Sequence, residues 1–312
     1  MRVNGAATAM TSSGIREIMN VAWGRADVLR LEVGQPDFAT PAHIVVAAHR
    51  AALEGHTGYT PTAGIPELRT AIAEKVRSRN GFSVDPAQVV LGNGGGQAIH
   101  AVLVALTEPG DGILLPYPAL PNFVMMAAML GLPAAHYPLT AGNGYIPDIA
   151  DLECLVTPRT RVLLLNSPSN YLGSVIDRDR IEQPLAFAVR HDLWVVSDEY
   201  YDEITFGDTA VSPAALDGDA RVATVFSSSN TYAITRPATT RTLELHPPTP
   251  ARDSHEHRAA RSSSLSQQRS GHKALESGHA SWWADCDLSE GRQGKHIPGV
   301  RGFRFHDVRL IY

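Results

Sequence analysis

Cysteine is nearly absent: the 312 residues hold two, Cys154 and Cys286. They stand far apart, without a CxxC pair or a Cys/His ligand spacing, so neither a disulfide framework nor a metal site is expected and buried free thiols are the plain reading. A positive excess is absent too. With 27 Lys and Arg against 32 Asp and Glu the formal net charge is −5, which argues against nucleic acid as the main partner. The first 21 residues mix Arg2, Arg16 and Glu17 with small residues and contain no continuous apolar core. Neither a secretory signal nor a membrane span is readable there, and the expected compartment is the cytoplasm. No internal repeats are visible. What remains is 44% hydrophobic and long enough for one large α/β domain with a smaller appendage.

Short apolar runs alternate with longer amphipathic ones. Residues 89–91, 113–115, 162–165, 193–196 and 222–226 have strand length and are bounded by Gly, Pro, Asp or Asn. They have no polar face, as buried parallel strands do not. Segments 97–106, 122–130 and 177–191 suit helices, the last opening with acids that favour a positive helix N-terminus. An earlier helix is signalled by Pro66 at its first position and by Leu68, Ile72 and Val76 every four residues along one face. That stripe reads as core packing. Strand and helix in alternation predict a three-layer, doubly wound, mostly parallel sheet.

The pattern breaks near Arg236. Beyond it come HPPTP and HEHRAARSSSLSQQRSGHK, with no run of three large apolar residues until Leu310-Ile311-Tyr312. Such a stretch cannot bury enough apolar surface to offset chain entropy, so 237–312 is expected to be an irregular, disordered tail. Seven of the thirteen histidines lie in it. The His255-Glu256-His257 pair invites a metal reading, but without further spaced ligands it reads as polar, solvated chain.

The chemistry sits at strand ends. After Leu91 comes GNGGGQAI, a glycine turn feeding a helix, where bare amides and the helix dipole favour a phosphate. After Leu165 comes Asn166-Ser167-Pro168-Ser169-Asn170; after Val196, Ser197-Asp198-Glu199-Tyr200-Tyr201; after Phe226, Ser227-Ser228-Ser229-Asn230. An Asn can simply cap a turn, and an acid leaving a buried strand is usually paired. Four polar strand ends in one sheet nevertheless favour a site, because open α/β sheets place ligands there.

In order, Gly34-Gln35-Pro36-Asp37-Phe38, Tyr59 with GIPELR, GNGGGQAI, NSPSN, SDEYYDEI and SSSNTYA resemble the successive motifs of the class I/II (fold type I) aminotransferases, which depend on pyridoxal 5'-phosphate. The resemblance covers about residues 28–235. It implies that the amides around Gly95, Gly96 and Gln97, with Ser227, hold the cofactor's phosphate, that Asp198 pairs with the pyridine nitrogen, and that Asn170 and Tyr201 bond the ring's phenolic oxygen. A carboxylate beside that nitrogen favours the protonated ring, the better electron sink. Gly34 and Asn170 would lie beside the substrate. Tyr59 would reach the phosphate of a neighbouring subunit, which implies a homodimer. The implied parts are an N-terminal segment of the small domain (1–45), an incomplete large domain (46–236) and the tail.

Departures from the family pattern are equally specific. Asn230 stands where the resemblance calls for the Schiff-base lysine, and an amide can neither form that link nor move the substrate's proton. The three lysines, Lys75, Lys273 and Lys295, lie on the early helix and in the tail. Loss of general acid/base work alone costs about 10²- to 10⁴-fold in rate. Ala238 occupies the place of a phosphate-binding arginine, with Arg236 only nearby, Leu120 that of a stacking aromatic ring, and Tyr171-Leu172 that of a Pro-Thr pair. The arginine for the substrate carboxylate has no counterpart. A break this abrupt is what a reading-frame shift would give. The resemblance thus implies an aminotransferase, moving an amino group between an amino acid and a 2-oxo acid, that is impaired or inactive in this chain. The alternative is a non-catalytic pseudoenzyme or binding module of the same fold. A carbon–sulfur lyase or cyclopropane-forming synthase would need the same missing lysine. Which amino acid is involved is not readable, since the specificity pocket draws on segments without counterpart here.

Overall fold

Apolar runs without a polar face need cover on both sides, and a computed structural model shows both covers. It describes residue 2 and residues 5–9, 13–34, 36–207, 210–234 and 310–311, all of which fall in one compact unit. Seven strands make one sheet: β1 (Val89–Val90), β2 (Gly112–Tyr117), β3 (Ala134–Pro138), β4 (Thr160–Asn166), β5 (Trp194–Asp198), β6 (Val222–Val225) and β7 (Leu310–Ile311), in the order β1-β7-β6-β5-β4-β2-β3. Every pairing is parallel, so each connection must cross over a face of the sheet.

Successive side chains of a strand point to opposite faces, which sorts the core into two layers. Ile113, Leu115, Val162, Leu164 and Val196 pack with Ala98, Ile99, Val102 and Leu103 of α5 (Gly95–Leu106) and Phe123 of α6 (Pro121–Met129). Their neighbours Leu114, Leu163, Leu165 and Val195 pack with Leu152 of α7 (Ile149–Leu155) and with Leu185, Phe187 and Ala188 of α8 (Arg178–Arg190) on the other side. Local signals set the helix starts. Asp177 accepts the Arg180 amide at 2.9 Å and Asp148 the Ala150 amide at 2.8 Å, satisfying first-turn donors that have no partner inside the helix.

Ahead of these lie α1 (Gly5–Ala9), α2 (Gly14–Ala22), α3 (Ala42–Leu53) and α4 (Pro66–Lys75). The expected stripe on α4 is core: Leu68, Ile72 and Val76 bury against Val89 and Phe226. The three-layer doubly wound sheet is therefore as expected, with differences in detail. The helix expected from Gln97 starts two residues earlier, at Gly95. Strand β3 escapes the pattern because an edge strand can leave its residues partly exposed. Within 237–312, Leu310–Ile311 pair with both β1 and β6 and so supply hydrogen-bond partners that those two strands need. The remainder of that stretch, with its expected disorder and His255-Glu256-His257, lies outside the described residues.

Candidate active site

Parallel strands deliver their carboxyl ends to one rim. Asn166 ends β4 level with Asp198 ending β5, and Val225 of β6 pairs with Asp198 on the other side. Asp198 is 1% exposed. Its carboxylate accepts the Tyr200 amide at 3.3 Å, and among the described residues no Lys, Arg or His side chain forms an ion pair with it. Burial pushes its carboxyl from 3.8 up to about 8, against a smaller lowering by the Tyr200 amide. Burial of this kind favours the neutral, protonated form of the acid until a partner charge is brought to it.

Beside it, Gly34, Asn170, Tyr201 and Asn230 come together from four separate stretches. A Cβ on Gly34 would stand 2.2 Å from Asn170 Nδ2 and 2.8 Å from the Tyr201 hydroxyl oxygen, so a larger residue there would push these side-chain ends from their present places. The Tyr201 phenol donates to the Gly34 carbonyl at 3.4 Å, and the Asn230 side chain lies close by. Burial, then the neighbouring Asp198 charge, raise that phenol above its ordinary value, while the Asn230 side chain acts to lower it. Asn230 lies in the one-turn helix α9 (Ser228–Thr231), whose N-cap is the buried Ser227. Thr40 Oγ1 donates to the Ala233 carbonyl at 2.7 Å, holding the N-terminal stretch against the same turn.

The third component is the start of α5. Gly94 takes φ +86, a left-handed conformation that favours glycine, and turns the chain into the helix. The side-chain oxygen of Gln97 accepts the Asn93 amide at 2.5 Å, which closes the turn. A Cβ on Gly95 would lie 2.1 Å from Tyr200 Cζ, so Gly95 is the residue that lets β5's exit turn pack under α5. First-turn amides and the dipole of a twelve-residue helix are what Gly95, Gly96 and Gln97 can offer an anion. Tyr59 is not drawn in; its side chain is fully exposed. Leu120 precedes α6 and packs against the core, while Arg236 and Ala238 lie outside the described residues.

A lysine ending an amphipathic helix usually reaches water. Here Lys75 is 6% exposed and paired with Asp202, one residue beyond Tyr201. Its one sequence signal is its place three residues after Ile72, on the buried face. Among the described residues, no group of three or more His, Cys, Asp or Glu side chains could hold a metal ion, and no helix is long and apolar enough to cross a membrane.

Residues 26–236 match the family described as "Aminotransferase class I and II". The chain is 36% identical over 209 residues to aspartate/prephenate aminotransferase of Thermus thermophilus, covering 67% of this chain and 54% of that one. It is 38% identical over 235 residues to arginine–pyruvate transaminase of Pseudomonas aeruginosa, covering 75% and 60%. It superposes on alanine aminotransferase from Pyrococcus furiosus with a TM-score of 0.71 at 30% identity, covering 75% of this chain and 61% of that one. The chain thus spans little more than half the length of these curated relatives.

Proposed function

This chain belongs to the class I and II aminotransferase family, and on that premise we propose that the rim of β4, β5 and β6 with the start of α5 binds pyridoxal 5'-phosphate. The observation that carries this is the buried, cation-free carboxylate of Asp198. A protonated pyridine nitrogen would complete it as no neutral ligand could, because an ionised buried acid needs a partner. Asn170 and Tyr201 would bond the ring's phenolic oxygen. The phosphate would rest on the amides of Gly95, Gly96 and Gln97 and on Ser227. Tyr59, fully exposed, would serve a second copy of the chain in a homodimer. Bound there, the cofactor supplies an electron sink for a carbanion at the substrate's Cα.

The chain's own residues do the rest incompletely. Asp198 would keep the ring protonated, Tyr201 and Asn170 would orient it, and Gly34 and Asn170 would lie beside the amino acid or 2-oxo acid. Asn230 donates and accepts hydrogen bonds but offers no amine to attach the cofactor and no base to move a proton. Amino-group transfer between an amino acid and a 2-oxo acid is accordingly the reaction this site descends from, carried out here slowly or not at all. The second reading, a binding module of the same fold, is favoured by Asn230 itself. Equilibrium dialysis of the full chain against pyridoxal phosphate tests the binding. Saturable uptake that Asp198→Asn weakens is expected; no uptake would end the proposal. Half-transamination assays with the common amino acids then divide the two readings, since any amino-acid-dependent loss of the bound aldehyde favours the slow enzyme.

A further inference from the structure

Burying an ammonium costs several kcal/mol unless partners replace its water, so the surroundings of Lys75 carry information. Lys75 closes α4, and residues Val76–Asn80 continue it as a wider π-type turn that brings Asn80 back under the lysine. The ammonium donates to Asn80 Oδ1 at 2.9 Å and to Asp202 Oδ2, stands 3.8 Å from Glu203 Oε1, and lies 4.5 Å from the centre of the Phe226 ring. Asn80 Nδ2 donates to the same Asp202 oxygen at 2.9 Å. Asp202 is 2% exposed, and Lys75 gives it a counter-ion 127 positions away in sequence.

The other oxygen of Asp202 faces the site's second half, accepting Thr231 Oγ1 at 3.2 Å. Asp202 follows Tyr201, and Thr231 follows Asn230. The hydrogen bond from Thr231 to Asp202 therefore stitches the turn after β5 to α9, with Tyr201 and Asn230 the residues just before each partner. We propose that Lys75 is a positioning residue: by anchoring Asp202 it fixes this stitch and so holds the Tyr201 phenol where a pyridoxal ring would meet it. For the ligand this rests on the function proposed above; the stitch itself needs no ligand. The same contacts keep Lys75 occupied, so it is no substitute for the amine missing at Asn230.

Three variants of the full chain test this. Thr231→Val breaks the stitch and leaves the ion pair; Lys75→Met strips Asp202 of its counter-ion; Lys75→Met with Asp202→Asn removes both charges and keeps an acceptor for Thr231. Without cofactor, amide hydrogen exchange in peptides covering 199–205 and 227–234 is expected to quicken roughly fivefold or more in the two single variants, the loss of about one hydrogen bond. Peptides covering 95–106 should stay as in the parent, and the double variant should return toward it. With ligand, affinity for pyridoxal phosphate by dialysis should fall by a similar factor, while affinity for inorganic phosphate by calorimetry stays the same. Unchanged exchange at 227–234 in Thr231→Val refutes the stitch. Equal losses at 95–106 and for inorganic phosphate in Lys75→Met refute positioning in favour of general stability. Should Lys75→Met not fold, the double variant decides: exchange at 227–234 as fast there as in Thr231→Val refutes the charge pairing as what holds the stitch. A parent chain that binds no pyridoxal phosphate would sink the functional reading, and the exchange data would still decide the role of Lys75.

Discussion

Replacing Asp198 by asparagine separates what this acid costs the fold from what it gives a ligand. Burial raises its carboxyl from 3.8 to about 8 in the folded chain, whereas the unfolded chain releases that proton near the ordinary value. From about pH 4 to pH 8 the folded chain therefore holds a proton that the unfolded chain has lost. Stability from this group is fully present below that window and is lost as pH rises through it, at about 1.4 kcal/mol per pH unit. Glu199, raised from 4.5 to about 8 by its own burial, adds a comparable slope. Asp198→Asn keeps the shape and removes one of the two protons. Urea unfolding between about pH 5.5 and pH 7.5 should show the two-acid slope of about 2.7 kcal/mol per unit cut to about half. Over those two units the variant gains about 2.7 kcal/mol on its parent. Pyridoxal phosphate should reverse the ranking. The variant loses a charge-assisted hydrogen bond worth roughly 1.5–3 kcal/mol, so its dissociation constant should rise about 10- to 150-fold. Parallel pH slopes would show that Asp198 does not stay protonated in the fold, and equal affinities would show that it is not the ring's partner.

Glu199→Gln should remove the other half of the pH slope while leaving pyridoxal phosphate binding intact, since Glu199 is held by Ser197 and Ser212 away from the rim; a large loss of binding would contradict that division. Gly95→Ala should lower stability by about 1–3 kcal/mol, because its methyl meets the Tyr200 ring; thermal unfolding at the parent midpoint would refute the packing. Asn230→Lys should yield a pyridoxyl adduct on the 227–233 peptide after borohydride reduction, read by mass spectrometry, with little turnover. An adduct there in the parent would overturn the placement of Asn230. Leu310→Pro removes a backbone donor from a strand paired on both sides and should cost about 3 kcal/mol in chemical denaturation; an unchanged midpoint would take β7 out of the sheet.

What could be read in advance followed local chemistry. The interior strands announced themselves because both faces are buried, and strand ends carrying Asn170, Asp198 and Asn230 were legible because polar residues right after apolar runs stand out. Gly34 enters the site through the family resemblance alone, and the structure then sets Asn170 and Tyr201 closely against it. Ala134–Pro138 hid because an edge strand need not be apolar. Lys75 hid for a different reason: its partners are Asp202 and Phe226, and no rule of helix periodicity can say that a lysine will meet a carboxylate a hundred residues later. Tyr200 carried no assignment in the sequence; the structure buries its hydroxyl without a hydrogen-bond partner.

The placing of β7 has a consequence for how the chain is made. Val225 of β6 and Val90 of β1 cannot be bridged until Leu310–Ile311 exist, and those residues leave the ribosome 85 positions after β6. At 5–20 residues per second that is a wait on the order of 4 to 17 s. During it the edges of β1 and β6 that β7 joins stay open, and pairings this distant in sequence also close slowly. An open edge accepts the matching strand of a neighbouring chain as readily as its own. Nascent chains on crowded polysomes should therefore exchange β7 or clump, and slower synthesis at low temperature should lower soluble yield unless a holding chaperone covers those edges.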